Sequence, residues 1–164
     1  MVFSGSVRTP VGVLAVESDG AAIRRVHWPR PGGVPDRDGG DPLLAEALAQ
    51  LRAYFAGEST GFDLPFDLGA QSDVTRAVLM TLYGTVGHGE TVTYGELAAR
   101  SGTAVPARAI GSIMGANPIP IIVPCHRVVA SDGLGGYSGG APGEGLLTKR
   151  RLLEHEGALP TALF

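Results

Sequence analysis

The chain has 164 residues, 44% of them hydrophobic, enough to bury the core of one ordinary domain or of two small ones. No apolar run approaches the roughly 20 residues that span a bilayer, and the opening MVFSGSVRTP has neither the charged nor the apolar region of a signal peptide, so a soluble cytoplasmic protein with no membrane partner is expected. The formal charge of −3 sits in residues 1–69, where six Arg face nine Asp or Glu, while residues 70–164 balance seven basic against seven acidic side chains; only that second part suits nucleic acid, weakly and through few phosphates.

In chain order, VFSGSVR, VGVLAVE and AAIRRVHW, separated by TP and SDG, predict a meander of three short strands. PRPGGVPDRDGGD, residues 29–41, has no periodicity and is expected to be a flexible loop. Leu43, Leu44, Ala47, Leu51, Tyr54 and Phe55 recur at helical spacing before Gly57, which predicts a helix over residues 42–56. FDLPFDL, residues 62–68, is extended by its central proline. Ser72 is placed to cap a helix with apolar positions Val74, Ala77, Val78, Thr81 and Leu82, ending near Gly84. Thr93 and Glu96 form a capping box for a short helix that stops at Gly102. Pro106 suits the first turn of the next helix, with Ala107, Ile110, Gly111 and Met114 on one face. Two short helices joined by a glycine-containing turn make a helix-turn-helix, and Arg108 lies off its apolar stripe, facing solvent or a ligand. SDGLGGYSGG reads as a turn and loop that approaches a ligand closely, and a last helix covers about residues 145–156.

The one cysteine lies in IPIIVPCHRVV, residues 119–129. A lone cysteine excludes an internal disulfide and any C-x-x-C zinc site, and it implies a reducing compartment. A free cysteine is commonly a small buried hydrophobe. Here Pro124 ends the buried strand expected over residues 121–123, so Cys125 falls at its exit. His126 and Arg127 are the kind of neighbours that shift a thiol toward thiolate, and a reactive Cys125 is the expectation.

NPIPIIVPCHRVV, preceded by TYGELA and ARAIG and followed by GYSGG and LLEHEG, resembles the O6-alkylguanine-DNA alkyltransferases, also called methylated-DNA-protein-cysteine methyltransferases. The similarity extends over nearly the whole chain, with TPVGVLAVE, YFAGE and FDLPFDL matching the N-terminal strands and the interdomain region. It implies a mixed α/β (α+β) fold: a ribonuclease H-like domain over residues 1–70 with antiparallel strands, then a helical, winged-helix-like domain over residues 71–164 that binds DNA and transfers the alkyl group. The implied activity is irreversible transfer of an alkyl group from O6-alkylguanine in double-stranded DNA to Cys125, by a monomer without cofactor or metal. O4-alkylthymine is a further candidate base. A thiolate is a soft nucleophile suited to an alkyl carbon. The resemblance gives His126 the part of base through a bound water, Glu156 that of orienting the imidazole, and Tyr94 and Lys149 that of relieving charge on the departing guanine. It assigns Arg108 as the finger that fills the stack, with Ala107 and Ser112 also at the DNA. Asn117, Pro124, Gly136, Tyr137 and Ser138 become the surroundings of the base.

Some positions depart from the family. Val74 and Leu79 replace aromatic residues, His88 stands where an aromatic is common, and the loop APGEG is longer than in several relatives. A non-catalytic lesion binder of the same fold is the alternative, distinguished by tryptophan at the cysteine position; this chain reads PCHR, not PWHR.

Overall fold

The computed structural model describes residues 1–33 and 39–160. Strands β1 (Phe3–Thr9), β2 (Gly12–Ser18) and β3 (Ile23–His27) form an antiparallel sheet in the order β1-β2-β3. The β1–β2 turn closes because Thr9 Oγ1 accepts from Val11 N at 3.1 Å and donates to Gly12 O at 2.6 Å, with Gly12 at a φ of 103° that a side chain resists. Alternation puts Val7, Leu14, Val16, Ile23 and Val26 on one buried face. Helix α1 (Pro42–Phe55) covers that face with Leu44, Ala47 and Leu51, after Asp41 caps it by accepting from Leu44 N at 3.1 Å. Residues 34–38 of the expected 29–41 loop lie outside the described residues. The FDLPFDL segment runs beside β3, where Ile23 N donates to Pro65 O and Asp67 N to Ile23 O.

The second half is built from helices around a two-stranded clasp. Ser72 caps α2 (Asp73–Thr85) as its sequence predicts, accepting from Thr75 N at 3.1 Å. Its buried residues are Val78, Leu79 and Leu82; Val74, expected on the apolar face, is exposed because it lies in the first turn, outside the packed stripe. The Thr93–Glu96 capping box opens α3 (Tyr94–Ser101), which ends at Gly102 in the left-handed conformation. Helix α4 (Ala107–Gly115) follows, with Pro106 at its N-cap, one residue ahead of the expected first turn. Helices α2, α3 and α4 pack on one another through Leu82, Leu97 and Ile110. Strands β4 (Val92–Thr93) and β5 (Val128–Val129) pair in parallel. That short pairing is what matters for the site: it holds Tyr94, one residue past β4, near Cys125, three residues before β5. Helix α5 (Gly145–His155) then returns beneath the cysteine, with Leu152 and Leu153 buried. No helix among the described residues is long and apolar enough to cross a membrane.

The expected strand over residues 121–123 is instead a tight turn. Val123 N donates to Ile119 O at 2.9 Å, and the Asn117 side chain spans the loop, Nδ2 donating to Val123 O at 2.8 Å and Oδ1 accepting from Ile119 N at 3.0 Å. Ile121 pays for the turn with a φ of 74°, a costly conformation for a β-branched residue. Ile121, Ile122 and Val123 are all buried, so an apolar run signals burial here without signalling a strand.

Candidate active site

Cys125 begins a 3₁₀ turn, Cys125–Arg127, and the residue is 7% exposed. The next two side chains turn inward to a single carboxylate, that of Glu156 at the C-cap of α5. His126 Nε2 lies 2.9 Å from Glu156 Oε2. Arg127 grips both oxygens, Nε donating to Oε1 and Nη2 to Oε2, each at 2.9 Å, while its Nη1 donates to Val86 O at 2.8 Å. A fourth donor arrives from the other half of the chain: Tyr54 Oη donates to Oε2 at 2.6 Å.

Electrostatics fix the protonation of this group. Burial alone would raise the Glu156 carboxyl, but hydrogen bonds from His126 and Arg127 and the Arg127 charge outweigh it and hold the group well below the usual carboxylate range. Burial pulls His126 below its ordinary value of 6.5, against the opposing bond and charge of Glu156, so the ring is neutral at pH 7. An ionised carboxylate can only accept, so Nε2 carries the hydrogen and Nδ1 the lone pair. That Nδ1 is buried and has no hydrogen-bond partner among the described residues. The turn therefore presents a proton acceptor in the residue after the thiol.

The thiol itself corrects an expectation. Burial raises the Cys125 pKa; Asn117, Tyr137 and the Lys149 charge oppose that rise without cancelling it. Arg127, expected to promote the thiolate, is fully engaged by Glu156 and Val86. Lys149 is fully buried, its Nζ donating to Val128 O at 2.6 Å and Gly136 O at 3.0 Å and standing 5.9 Å from the Tyr94 ring centre. Burial lowers its pKa to about 8, with the Cys125 charge acting in the opposite sense. One ammonium thus ties the strand behind the thiol to the loop in front of it.

Two clefts reach Cys125. One, of about 350 Å³, is lined by Tyr94 from α3, by Gly111, Met114 and Gly115 from α4, and by Gly136, Tyr137 and Ser138 from the loop before α5. Tyr94 and that loop are in close contact: a Cβ on Gly135 would stand 2.6 Å from Tyr94 Oη. The other cleft, of about 310 Å³, opens toward β3 and includes Asn117, Pro120, Tyr137, Ser138, His27 and Trp28. A larger groove of about 940 Å³ between Val13, Trp28, Leu146 and Leu147 does not include the thiol in its lining.

Of the residues singled out in the sequence, Tyr94, Cys125, Gly136, Tyr137 and Ser138 meet in the first cleft. His126, Lys149 and Glu156 are buried around Cys125 rather than in it. Asn117 lines the second cleft, and Pro124 lines neither, because it caps the 3₁₀ turn from behind. Ala107, Arg108 and Ser112 are exposed on α4, outside both clefts. Tyr54 was legible only as a core residue and Arg127 only as a nearby charge. The acidic residue against the α5 dipole is the one sequence signal that pointed to their shared partner. Among the described residues, no group of three or more His, Cys, Asp or Glu is arranged to hold a metal ion.

Both halves of the chain are similar to known proteins. Residues 2–68 match the 6-O-methylguanine DNA methyltransferase, ribonuclease-like domain, and residues 73–158 match the DNA binding domain of the same family. A methylated-DNA-protein-cysteine methyltransferase of Mycobacterium tuberculosis is 39% identical over 95% of this chain and 93% of its own length. One from Mus musculus is 44% identical over 80% of this chain and 60% of its own. The crystal structure of the M. tuberculosis O6-methylguanine methyltransferase superposes with a TM-score of 0.80 at 38% identity, covering 99% of this chain and 98% of that one. The M. tuberculosis OGT in complex with DNA superposes with a TM-score of 0.79 at 39% identity, covering 94% and 92%. The chain belongs to the 6-O-methylguanine DNA methyltransferase family.

Proposed function

We propose that this protein repairs alkylated DNA by direct reversal, taking the alkyl group from O6 of guanine in a duplex onto its own Cys125 in one irreversible step. The observation that carries this reading is the unpartnered Nδ1 of His126, a buried base held by an ionised carboxylate in the residue after a lone thiol. So enclosed a thiol cannot meet a base within the stack, and the nucleotide must be flipped out at a cost of a few kcal/mol. Arg108, exposed on α4, fills the gap, with Ala107 and Ser112 on the same exposed surface against the DNA.

The flipped base enters the cleft between Tyr94 and residues 136–138, and Asn117 holds the thiol turn in register. The thiol proton passes through a bound water to His126 Nδ1, and Glu156 stabilises the imidazolium. Sulfur then attacks the alkyl carbon, the C–S bond forms and the C–O6 bond breaks. Charge left on guanine is met by a proton from Tyr94 at the ring and by the Lys149 ammonium at O6. Residues 71–164 carry these steps, and residues 1–70 support them; the protein acts as a monomer in the cytoplasm.

Stoichiometry tests the proposal. A thioether has no good leaving group and the chain holds no second thiol to resolve it. Excess duplex containing O6-methylguanine gives product equal to the protein and then none, with one methyl on the Cys125 peptide by mass spectrometry. Cys125→Ser gives no product. Turnover beyond one equivalent, or a methyl elsewhere with Cys125 unmodified, overturns the assignment.

A further inference from the structure

The carboxylate that holds the His126 ring does not draw all its donors from the half of the chain that contains it. Tyr54, the second-last residue of α1, is separated from Glu156 by 102 positions and makes the shortest of the four bonds to it, 2.6 Å. Its ring is enclosed by Phe55, Phe62 and His155 at centroid distances of 4.8, 5.3 and 4.9 Å, with His88 at 6.1 Å. Its backbone carbonyl accepts from His155 Nε2 at 2.8 Å. Packing at this place needs the ring alone. Among the described residues the hydroxyl has one hydrogen-bond partner, the same Oε2 that meets His126 Nε2.

Oε2 is thus shared by three donors, Tyr54 Oη, His126 Nε2 and Arg127 Nη2. Each draws charge from the oxygen and weakens the hold of the others. We infer that Tyr54 is a positioning residue for alkyl transfer: from the N-terminal half it fixes the Glu156 carboxylate and moderates its grip on the His126 imidazole. The inference rests on the assignment of His126 as base and Glu156 as its orienter. The residues 1–70 segment then enters the chemistry through a hydroxyl, beyond supporting the fold.

The sign of the effect follows from the groups facing the pair. Tyr54 comes from α1, His88 from the 87–91 turn against the Tyr54 ring, Arg127 and Cys125 from the thiol turn, Tyr137, kept neutral by burial, from the loop before α5, and Lys149 and His155 from α5. Arg127 and Lys149 disfavour a charged imidazole, Glu156 favours it, and burial keeps Tyr54 protonated, hence a donor, across the working range. Removing the hydroxyl leaves more of the carboxylate charge to the imidazolium. The His126 pKa then rises, and the ring stays protonated, closed to the thiol proton, up to a higher pH.

The test is the pH profile of Cys125 reactivity in Tyr54→Phe, a change that keeps the ring. Rates of methyl transfer from O6-methylguanine duplex and of iodoacetamide alkylation are measured between pH 5 and 9. The acid limb of both profiles shifts up by about 0.5–1 pH unit, the scale of one hydrogen bond, and the plateau rate of transfer falls several-fold as the carboxylate loses its anchor. A merely structural role lowers the yield of folded protein and leaves the limb where it was. Site-specific 3-fluorotyrosine at position 54 retains the bond as a stronger donor and shifts the limb downward, which covers intolerance of phenylalanine. An unmoved limb, or one that moves in the opposite sense, overturns the inference. Failure of methyl transfer in the unaltered protein would instead remove the proposed function, while the iodoacetamide profile would still report on Tyr54.

Discussion

On β3, Arg24 reaches Asp19 and Asp67 and Arg25 reaches Glu17 at 3.0–3.4 Å, with all five side chains 29–57% exposed. Beneath the thiol turn, Arg127 reaches Glu156 at 2.9 Å with neither side chain more than 8% exposed. The residue types are the same, and the bond lengths nearly so. Solvent separates their consequences. An exposed pair gains roughly 0–1 kcal/mol and is screened by salt. An enclosed pair is conditional: each charge is tolerable only while the other stands in place, and losing one partner costs about 3–5 kcal/mol. Such a cluster is a poor source of net stability and a strict determinant of geometry, and here it fixes the His126 ring beside Glu156.

Glu156→Ala breaks this contrast most severely. It strands Arg127 and leaves His126 and Tyr54 without an acceptor, and unfolding free energy falls by about 3–5 kcal/mol, read as a drop in Tm of roughly 2–4 °C per kcal/mol for a chain of this size. Linkage adds a signature. Because the folded carboxyl titrates far below its ordinary 4.5, its contribution is complete above that value and is lost as pH falls beneath it. The unaltered protein therefore loses stability below pH 4.5 along a slope that Glu156→Ala partly abolishes, measurable by urea unfolding at stepped pH.

Arg108→Ala separates stability from function. The residue is exposed and α4 does not lean on it, so unfolding free energy changes by less than about 0.5 kcal/mol. Repair of O6-methylguanine in duplex DNA slows about tenfold for every 1.4 kcal/mol of flipped-state support removed, while reaction with free O6-benzylguanine proceeds at the unaltered rate. Equal losses on both substrates would place Arg108 in the chemistry and not at the stack.

Arg24→Ala is the smallest of the three. It removes two exposed contacts, costs under about 1 kcal/mol at low salt and nothing measurable in 1 M salt, and leaves single-turnover repair untouched. A cost approaching that of Glu156→Ala would erase the distinction between the two regions.

What local pattern can encode was legible in the sequence. Alternation marked the three strands, Ser72 and the Thr93–Glu96 pair marked helix starts, and the spacing of Leu44, Ala47 and Leu51 marked the face that covers the sheet. A reactive Cys125 with His126 beside it was legible from Pro124 and the neighbouring charges; the roles of His126 and Glu156 came from resemblance to a family. The remainder depends on contacts between distant parts of the chain. Tyr54 reads as apolar because its ring occupies a helical stripe, and nothing nearby discloses the hydroxyl's partner. Lys149 looks like a surface lysine until β5 and Gly136 close over it. Residues 121–123 look like a strand because burial, not extension, selects aliphatic side chains. The direction of the Cys125 shift escapes the sequence for a related reason: adjacency to Arg127 is visible there, and its engagement by Glu156 is not.

The enclosure of Cys125 also bears on what else the sulfur meets. A cell contains peroxides and small electrophiles that consume exposed thiolates, and sulfenic or higher acids form fastest where a thiol is ionised and accessible. A protonated thiol on a residue 7% exposed is a poor target for such bystanders. For a molecule with one usable sulfur, each stray oxidation removes a repair event. Burial that slows ionisation therefore acts as discrimination in time, holding the thiol in reserve for the alkylated base.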